Sequence, residues 1–228
     1  MSSDTDLAGT PAAGLGLPTG PPGNPVIEGR STAEVRWILP GQLDAAIAGW
    51  FERFPGGMDS REDAYLIHPV PRGLSVKIRA GQVLDVKLCH GSPGILDAAA
   101  RARGRIESWR KWSFPIGLLG PDGAGPPGWT VVHKRRRSIR FQLVNGRLVA
   151  DVPEQATEPA CVAELTEVRT GGETWWSLGF EATGPAAALC GTLQRTAELM
   201  FAETPLGDVE LDMSHCRSYV EWLSRRRR

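Results

Sequence analysis

Short runs in which charged and apolar residues alternate recur along this chain, and they carry the residue types that phosphate chemistry uses. The clearest are Glu34-Val35-Arg36, Lys77-Ile78-Arg79, Asp85-Val86-Lys87, Arg105-Ile106-Glu107, Lys134-Arg135-Arg136 and Glu164-Leu165-Thr166. Lysine and arginine hold phosphoryl oxygens through charge-assisted hydrogen bonds, and carboxylates hold hard divalent cations. Successive side chains of a strand point to opposite faces, so each run lines one face with ionic groups. Thr32, Glu34 and Arg36 share a face, as do Lys77 and Arg79, Asp85 and Lys87, Arg105, Glu107, Trp109 and Lys111, and Lys134, Arg136 and Arg140 if that strand has no bulge.

The opposite faces, Val35-Trp37, Val76-Ile78, Val86-Leu88 and Trp176-Leu178-Phe180, are apolar and suited to packing against amphipathic helices. A closed sheet with its ionic face inward makes a wet, charged tunnel fit for a polyanion and a metal ion. The competing arrangement is an open antiparallel sheet with one solvated, salt-bridged face. Two features favour the tunnel. The pattern repeats across many strands, and Lys and Arg stand where Thr would serve a strand better.

The elements that must position these residues are legible from punctuation. Thr32 to Leu39 reads as the first strand, broken by Pro40-Gly41. A helix follows with Leu43, Ala46, Ile47, Trp50, Phe51 and Phe54 on one stripe, ended by Pro55-Gly56-Gly57. From Asp63 to about Val168 the pattern is strand, turn, strand, with turns at Arg72-Gly73, Ala80-Gly81 and Asn145-Gly146. Gly91 to Arg103 reads as a loop with a helical turn, and Pro121 to Gly128 as a loop. Thr174 to Ala182 is a further strand, Pro185 to Glu203 a helix with proline in its first turn, and Ser218 to Leu223 the last element. The sum is an α+β fold: a closed antiparallel β-barrel of about eight strands with flanking helices.

Composition narrows the rest. Residues 1–30 form a Gly/Pro/Ala-rich arm with almost no large apolar residue, expected to stay disordered; 31–224 form the tunnel domain, and 225–228 a basic tail. Formal net charge is zero, with 26 basic and 26 acidic residues, which argues against a nucleic-acid binder that works through bulk positive charge. Cys89, Cys161, Cys190 and Cys216 show no C-x-x-C spacing and read as reduced thiols; the four histidines form no H-E-x-x-H pattern. The chain has no apolar run that could span a membrane and no signal peptide, so a cytoplasmic location is expected.

In their order, these motifs resemble the CYTH superfamily, the triphosphate tunnel metalloenzymes. The family's opening E-x-E-x-K reads T-x-E-x-R here (Thr32, Glu34, Arg36). Asp63-Ala64-Tyr65-Leu66 is similar to its second strand, LSVKIR (Leu74 to Arg79) to its L-R-x-R element, and Leu84 to Lys87 to the strand ending in its lysine. Arg105-Ile106-Glu107 resembles R-x-E, Lys134-Arg135-Arg136 matches K-x-R, Ala163-Glu164-Leu165 lies at the later E-x-E, and Ser218-Tyr219 resembles the closing helix. Arg105 to Phe114 (RIESWRKWSF) and Trp175 to Ala182 (WWSLGFEA) are similar to a bacterial branch of that family.

The resemblance implies a barrel whose Arg36, Lys77, Arg79, Lys87, Arg105, Lys134 and Arg136 hold a triphosphate or other phosphorylated anion. Glu34 and Glu164, assisted by Glu107, would hold Mg²⁺ or Mn²⁺. Metal-dependent hydrolysis of a triphosphate is the implied reaction. Two departures stand against it: Thr32 and Val162 replace the first glutamate of each E-x-E pair, and Glu181 and Asp151 are the remaining candidates for extra carboxylates. The alternative is a non-catalytic polyphosphate- or nucleotide-binding module that has lost part of its metal site.

Overall fold

The computed structural model describes residues 29–67, 71, 73–116, 128–144, 147–150, 159–202 and 209–226. The arm up to residue 28, Arg72, residues 121–127, Asn145-Gly146, Asp151, Glu203 and the last two residues of the basic tail lie outside the described residues. The strands are β1 (Arg30–Pro40), β2 (Gly57–Leu66), β3 (Leu74–Arg79), β4 (Val83–Ala98), β5 (Ala102–Pro115), β6 (Trp129–Val144), β7 (Arg147–Ala150), β8 (Ala160–Thr170) and β9 (Glu173–Thr183). The helices are α1 (Ala45–Glu52), α2 (Leu189–Ala202) and α3 (Tyr219–Arg226).

Neighbouring strands run antiparallel in the order β2-β3-β4-β5-β1-β9-β8-β6, and β6 pairs back to β2, so the sheet closes on itself as an eight-stranded barrel. The end of β6 also forms a hairpin with β7, from Phe141↔Ala150 to Val144↔Arg147, as the Asn-Gly signal predicts. The main apolar core lies outside the barrel wall. Ala33, Val35 and Trp37 of β1 and Trp176, Leu178 and Phe180 of β9 pack against Ile47, Trp50 and Phe51 of α1 and Leu193, Ala197, Met200 and Phe201 of α2. Burying these stripes is what fixes strand parity: a one-residue slip would push charge into the helices and tryptophan into the tunnel. Asp44 caps α1 by accepting the Ala46 amide hydrogen at 2.7 Å.

Four expectations from the sequence are corrected. The stretch Gly91 to Arg103 is not a loop with a helical turn; β4 runs to Ala98 and turns directly into β5. Its turn uses Ala99 and Ala100 at φ 52° and 50°, residues that carry no turn signal, and its apparent breakers, Ser92-Pro93-Gly94, lie in irregular pairing between Cys89 and Gly94. Strand β2 begins at Gly57, well before Asp63. The apolar outer faces of β3 and β4 are not all roofed by helices: Val76, Ile78 and Val86 join neither buried cluster, and Leu88 is exposed. The last helix also runs past the tail boundary at 225, with the Arg226 guanidinium over the rings of Trp175 and Trp222 at 4.9 and 5.3 Å.

Candidate functional site

The inward faces enclose a cavity of about 500 Å³. Every residue singled out from the sequence reaches it: Arg36, Lys77, Arg79, Lys87, Arg105, Lys134 and Arg136, with Glu34, Glu107 and Glu164. Arg61, Lys111, Arg140 and Arg217 join them, so eleven basic side chains face five acidic ones, Glu34, Asp85, Glu107, Glu164 and Glu181. Asp63, Asp59 and Glu221 also pair with lining cations, so the neutral chain holds an interior with a moderate net positive charge.

One end of the barrel is closed. Ile38 shares parity with Glu34 and Arg36, Val132 with Lys134, and Val168 with Glu164, so all three point inward. They pack with Tyr65, Ile67 and the α3 residues Tyr219, Trp222 and Leu223 in a second apolar cluster. The Tyr219 hydroxyl meets Ser177 Oγ at 2.9 Å, which fixes the plug to β9. Its ring carries the Lys134 ammonium at 3.8 Å and the Arg36 guanidinium at 4.9 Å.

Above the plug, Asp63 is fully buried and serves three cations: Lys134 at 2.9 Å, Lys77 at 3.2 Å and Arg61 at 3.0 Å. Burial works against this carboxylate, but Lys134, Lys77 and Arg61 outweigh it and hold its pKa well below the usual range. The lysines bear the cost of crowding. Burial pulls Lys77 down to about 7, with Asp63 opposing and Lys134 and Arg61 adding to the fall. Burial likewise pulls Lys134 down to about 8. Lys134 is also held by the Tyr65 hydroxyl at 2.7 Å and is 4% exposed, so it is a fixture of the floor. Lys77 and Arg79 flank Asp85 at 3.7 and 3.1 Å, and Ser113 donates its hydroxyl to the same carboxylate at 2.6 Å.

On the other wall, Lys87 reaches Glu34 at 2.6 Å and Glu181 at 3.5 Å, and Thr32 donates its hydroxyl to Glu34 at 2.7 Å. Burial opposes the Lys87 charge, yet Glu181 and Glu34 raise its pKa well above normal. Glu164 sits in a fork: Arg36 donates to Oε1 at 2.9 Å, Arg136 to Oε2 at 2.6 Å, and the Thr166 hydroxyl to Oε1 at 3.1 Å. Burial opposes its charge, yet Arg36 and Arg136 hold it far below the carboxylate range. Arg136 also makes a bidentate pair with Asp59, 3.0 Å at each oxygen. Glu107 accepts from Arg105 at 3.0 Å and from Trp109 Nε1 at 3.1 Å, and burial raises its pKa.

The carboxylates called as metal ligands are therefore committed to cations, and among the described residues no group of three or more His, Cys, Asp or Glu side chains lies in metal-holding geometry. Each of Glu34, Glu107 and Glu164 is tied to a different basic partner. Glu34, Glu107 and Glu164 therefore do not fit together as one donor set for a resident divalent ion. Val162, where the resembled motif has a glutamate, is the register partner of Arg140, whose Nε is buried with no hydrogen-bond partner among the described residues.

Sequence reasoning missed Arg61 and the roles of Asp63 and Tyr65, because β2 was started too late; the alternation Arg61-x-Asp63-x-Tyr65 was the available signal. It also missed Gly179. A Cβ there would lie 2.8 Å from Arg36 Cζ and 3.0 Å from both terminal nitrogens, so the glycine makes a flat seat for the guanidinium. Gly179→Ala is expected to leave folding nearly intact, since the flexible end of Arg36 can move, but to weaken triphosphate binding by about fivefold. An unchanged Kd alongside an unchanged melting temperature would remove the seat from the site.

No protein-family model and no curated protein matches the chain. Among solved structures, the PH1819 protein of Pyrococcus horikoshii OT3 is similar at 14% identity, covering 85% of this chain and 99% of that one, with a TM-score of 0.42. The S. pombe Pct1 RNA triphosphatase, solved with the Spt5 CTD, is similar at 10% identity, covering 78% and 83%, with a TM-score of 0.37. Likeness at these values carries no functional argument.

Proposed function

We propose that the barrel binds a triphosphate or another short phosphorylated anion inside its tunnel. The observation that carries this reading is the charge imbalance: eleven basic side chains line one cavity, and the five lining carboxylates, together with Asp63, Asp59 and Glu221 that pair with lining cations, do not match them in number. Burial holds Lys77 and Lys134 down at about 7 and about 8, and further negative charge beside them would favour their protonated forms. A polyanion supplies that charge and replaces water with charge-assisted bonds.

The hydrolase reading has one observation in its favour. Glu34 and Glu181 are register partners on β1 and β9 and both contact Lys87, so two carboxylates face one place a divalent ion could take. Calorimetric titration with inorganic triphosphate separates the readings. Binding in chelator without phosphate release supports the binding module; phosphate release that requires Mg²⁺ or Mn²⁺ supports the hydrolase; no binding in either condition overturns both.

The anion site has a defined pH response. Protonated Lys77 and Lys134 attract the anion, and in the empty tunnel they lose their protons as pH rises through about 7 and about 8. Affinity is therefore expected to fall between about pH 6 and about pH 9, by up to tenfold per pH unit for each proton taken up on binding. The measurement uses trimetaphosphate, whose three strongly acidic groups keep a constant charge over this range. A flat profile would show that neither lysine contacts the anion.

A further inference from the structure

Among the described residues, Glu164 is the one tunnel carboxylate whose two oxygens are held by guanidinium groups from different strands. Arg36 of β1 takes Oε1 and Arg136 of β6 takes Oε2, at 2.9 and 2.6 Å. Two guanidinium groups converging on one anion is the geometry that recognises a phosphoryl group, and here the protein's own side chain fills it. Arg36 has a defined seat on its side of the fork. That guanidinium lies between the Gly179 backbone and the Tyr219 ring, with Ser177 Oγ 3.3 Å from Nη1. The carboxylate is the movable member: beyond the two arginines, the Thr166 hydroxyl is its hydrogen-bond donor among the described residues.

We propose that Glu164 is a resident competitor of the ligand, an internal anion that occupies the Arg36–Arg136 fork in the empty tunnel and must leave it before a phosphoryl group can be seated there. This rests on the anion-binding reading above and adds how that site is regulated. It has two consequences. The empty barrel keeps two half-buried guanidinium groups neutralised and so stays folded without ligand. Affinity is set low by design of the fork, so an anion with a single phosphate loses to Glu164, while one with several phosphates, which also reaches Lys77 and Arg79, can displace it.

The test is the affinity of the full-length chain for inorganic triphosphate and for inorganic phosphate in chelator, with Glu164→Gln beside the wild type. Glutamine keeps the shape and hydrogen-bonding length but not the charge. The expected result is triphosphate binding about tenfold tighter or more, with phosphate binding becoming measurable. If the wild type binds triphosphate and the variant binds no better, the competitor role is overturned while the anion site stands. If neither binds, the anion site itself fails, and this inference with it. Should Glu164→Gln not fold, Thr166→Val serves, since it removes one donor that holds the carboxylate and keeps the buried shape. It is expected to tighten triphosphate binding by about threefold, and an unchanged Kd overturns the proposal.

Discussion

Lys77→Ala combined with Arg79→Ala is expected to abolish most triphosphate binding while leaving a folded barrel. Both side chains project from β3 into the cavity, and Arg79, with its side chain 33% exposed, has the freedom to meet an incoming anion. Each hydrogen bond to a charged group contributes about 1.5–3 kcal/mol, so losing both costs about 3–6 kcal/mol, or a factor of about 10² to 10⁴ in Kd. Solvent around Arg79 pulls the figure toward the lower end. The fold should survive because Asp63 keeps Lys134 and Arg61, and Asp85 keeps the Ser113 hydroxyl and Lys111 at 4.0 Å. Calorimetry with thermal melting in parallel checks both halves. Affinity within about twofold of wild type, with an unchanged melting temperature, would show that the anion does not lie against β3 and would sink the tunnel assignment in its present form.

Parity along single strands was enough to find the wall. Lys77 and Arg79, Asp85 and Lys87, Lys134 and Arg136 were placed on shared faces by counting alone, and all of them line one cavity. Parity does not tell which carboxylate neutralises which cation. That depends on register between strands far apart in sequence: Lys87 meets Glu34 across the intervening β5, and Lys134 meets Asp63 only because β6 pairs back to β2. The same holds for the plug. Ile38, Val132 and Val168 stand at inward positions, but that they form one end of the barrel follows only when β1, β6 and β8 are aligned. The β4–β5 hairpin was illegible for a local reason. Two alanines at positive φ make its turn, a conformation the rest of the hairpin must impose because alanine does not favour it. Zero net charge was the most misleading signal, since acidic residues outside the tunnel offset the basic ones within it.

Asp63→Asn is expected to have the largest effect on stability. The substitution keeps volume and shape at a fully buried position and removes the charge that serves Lys134, Lys77 and Arg61. Breaking a buried ionic cluster by removing one partner costs about 3–5 kcal/mol, because the remaining charges stay buried and unpaired. For a domain of this size, that corresponds to a fall of roughly 10 °C in melting temperature. The pH dependence follows from the lysines. Lys77 has a folded pKa near 7 against an ordinary value of 10.5, so between these limits the unfolded chain binds the extra proton. Stability of the empty barrel therefore rises with pH across that window, and the window should extend to lower pH in Asp63→Asn, where the lysines lose their counter-charge. A polyanion in the tunnel replaces part of the missing charge. Triphosphate should thus raise the melting temperature of Asp63→Asn more than that of the wild type. A destabilisation below about 1 kcal/mol would mean that water already solvates the three cations, leaving no unmet demand for negative charge at the heart of the tunnel.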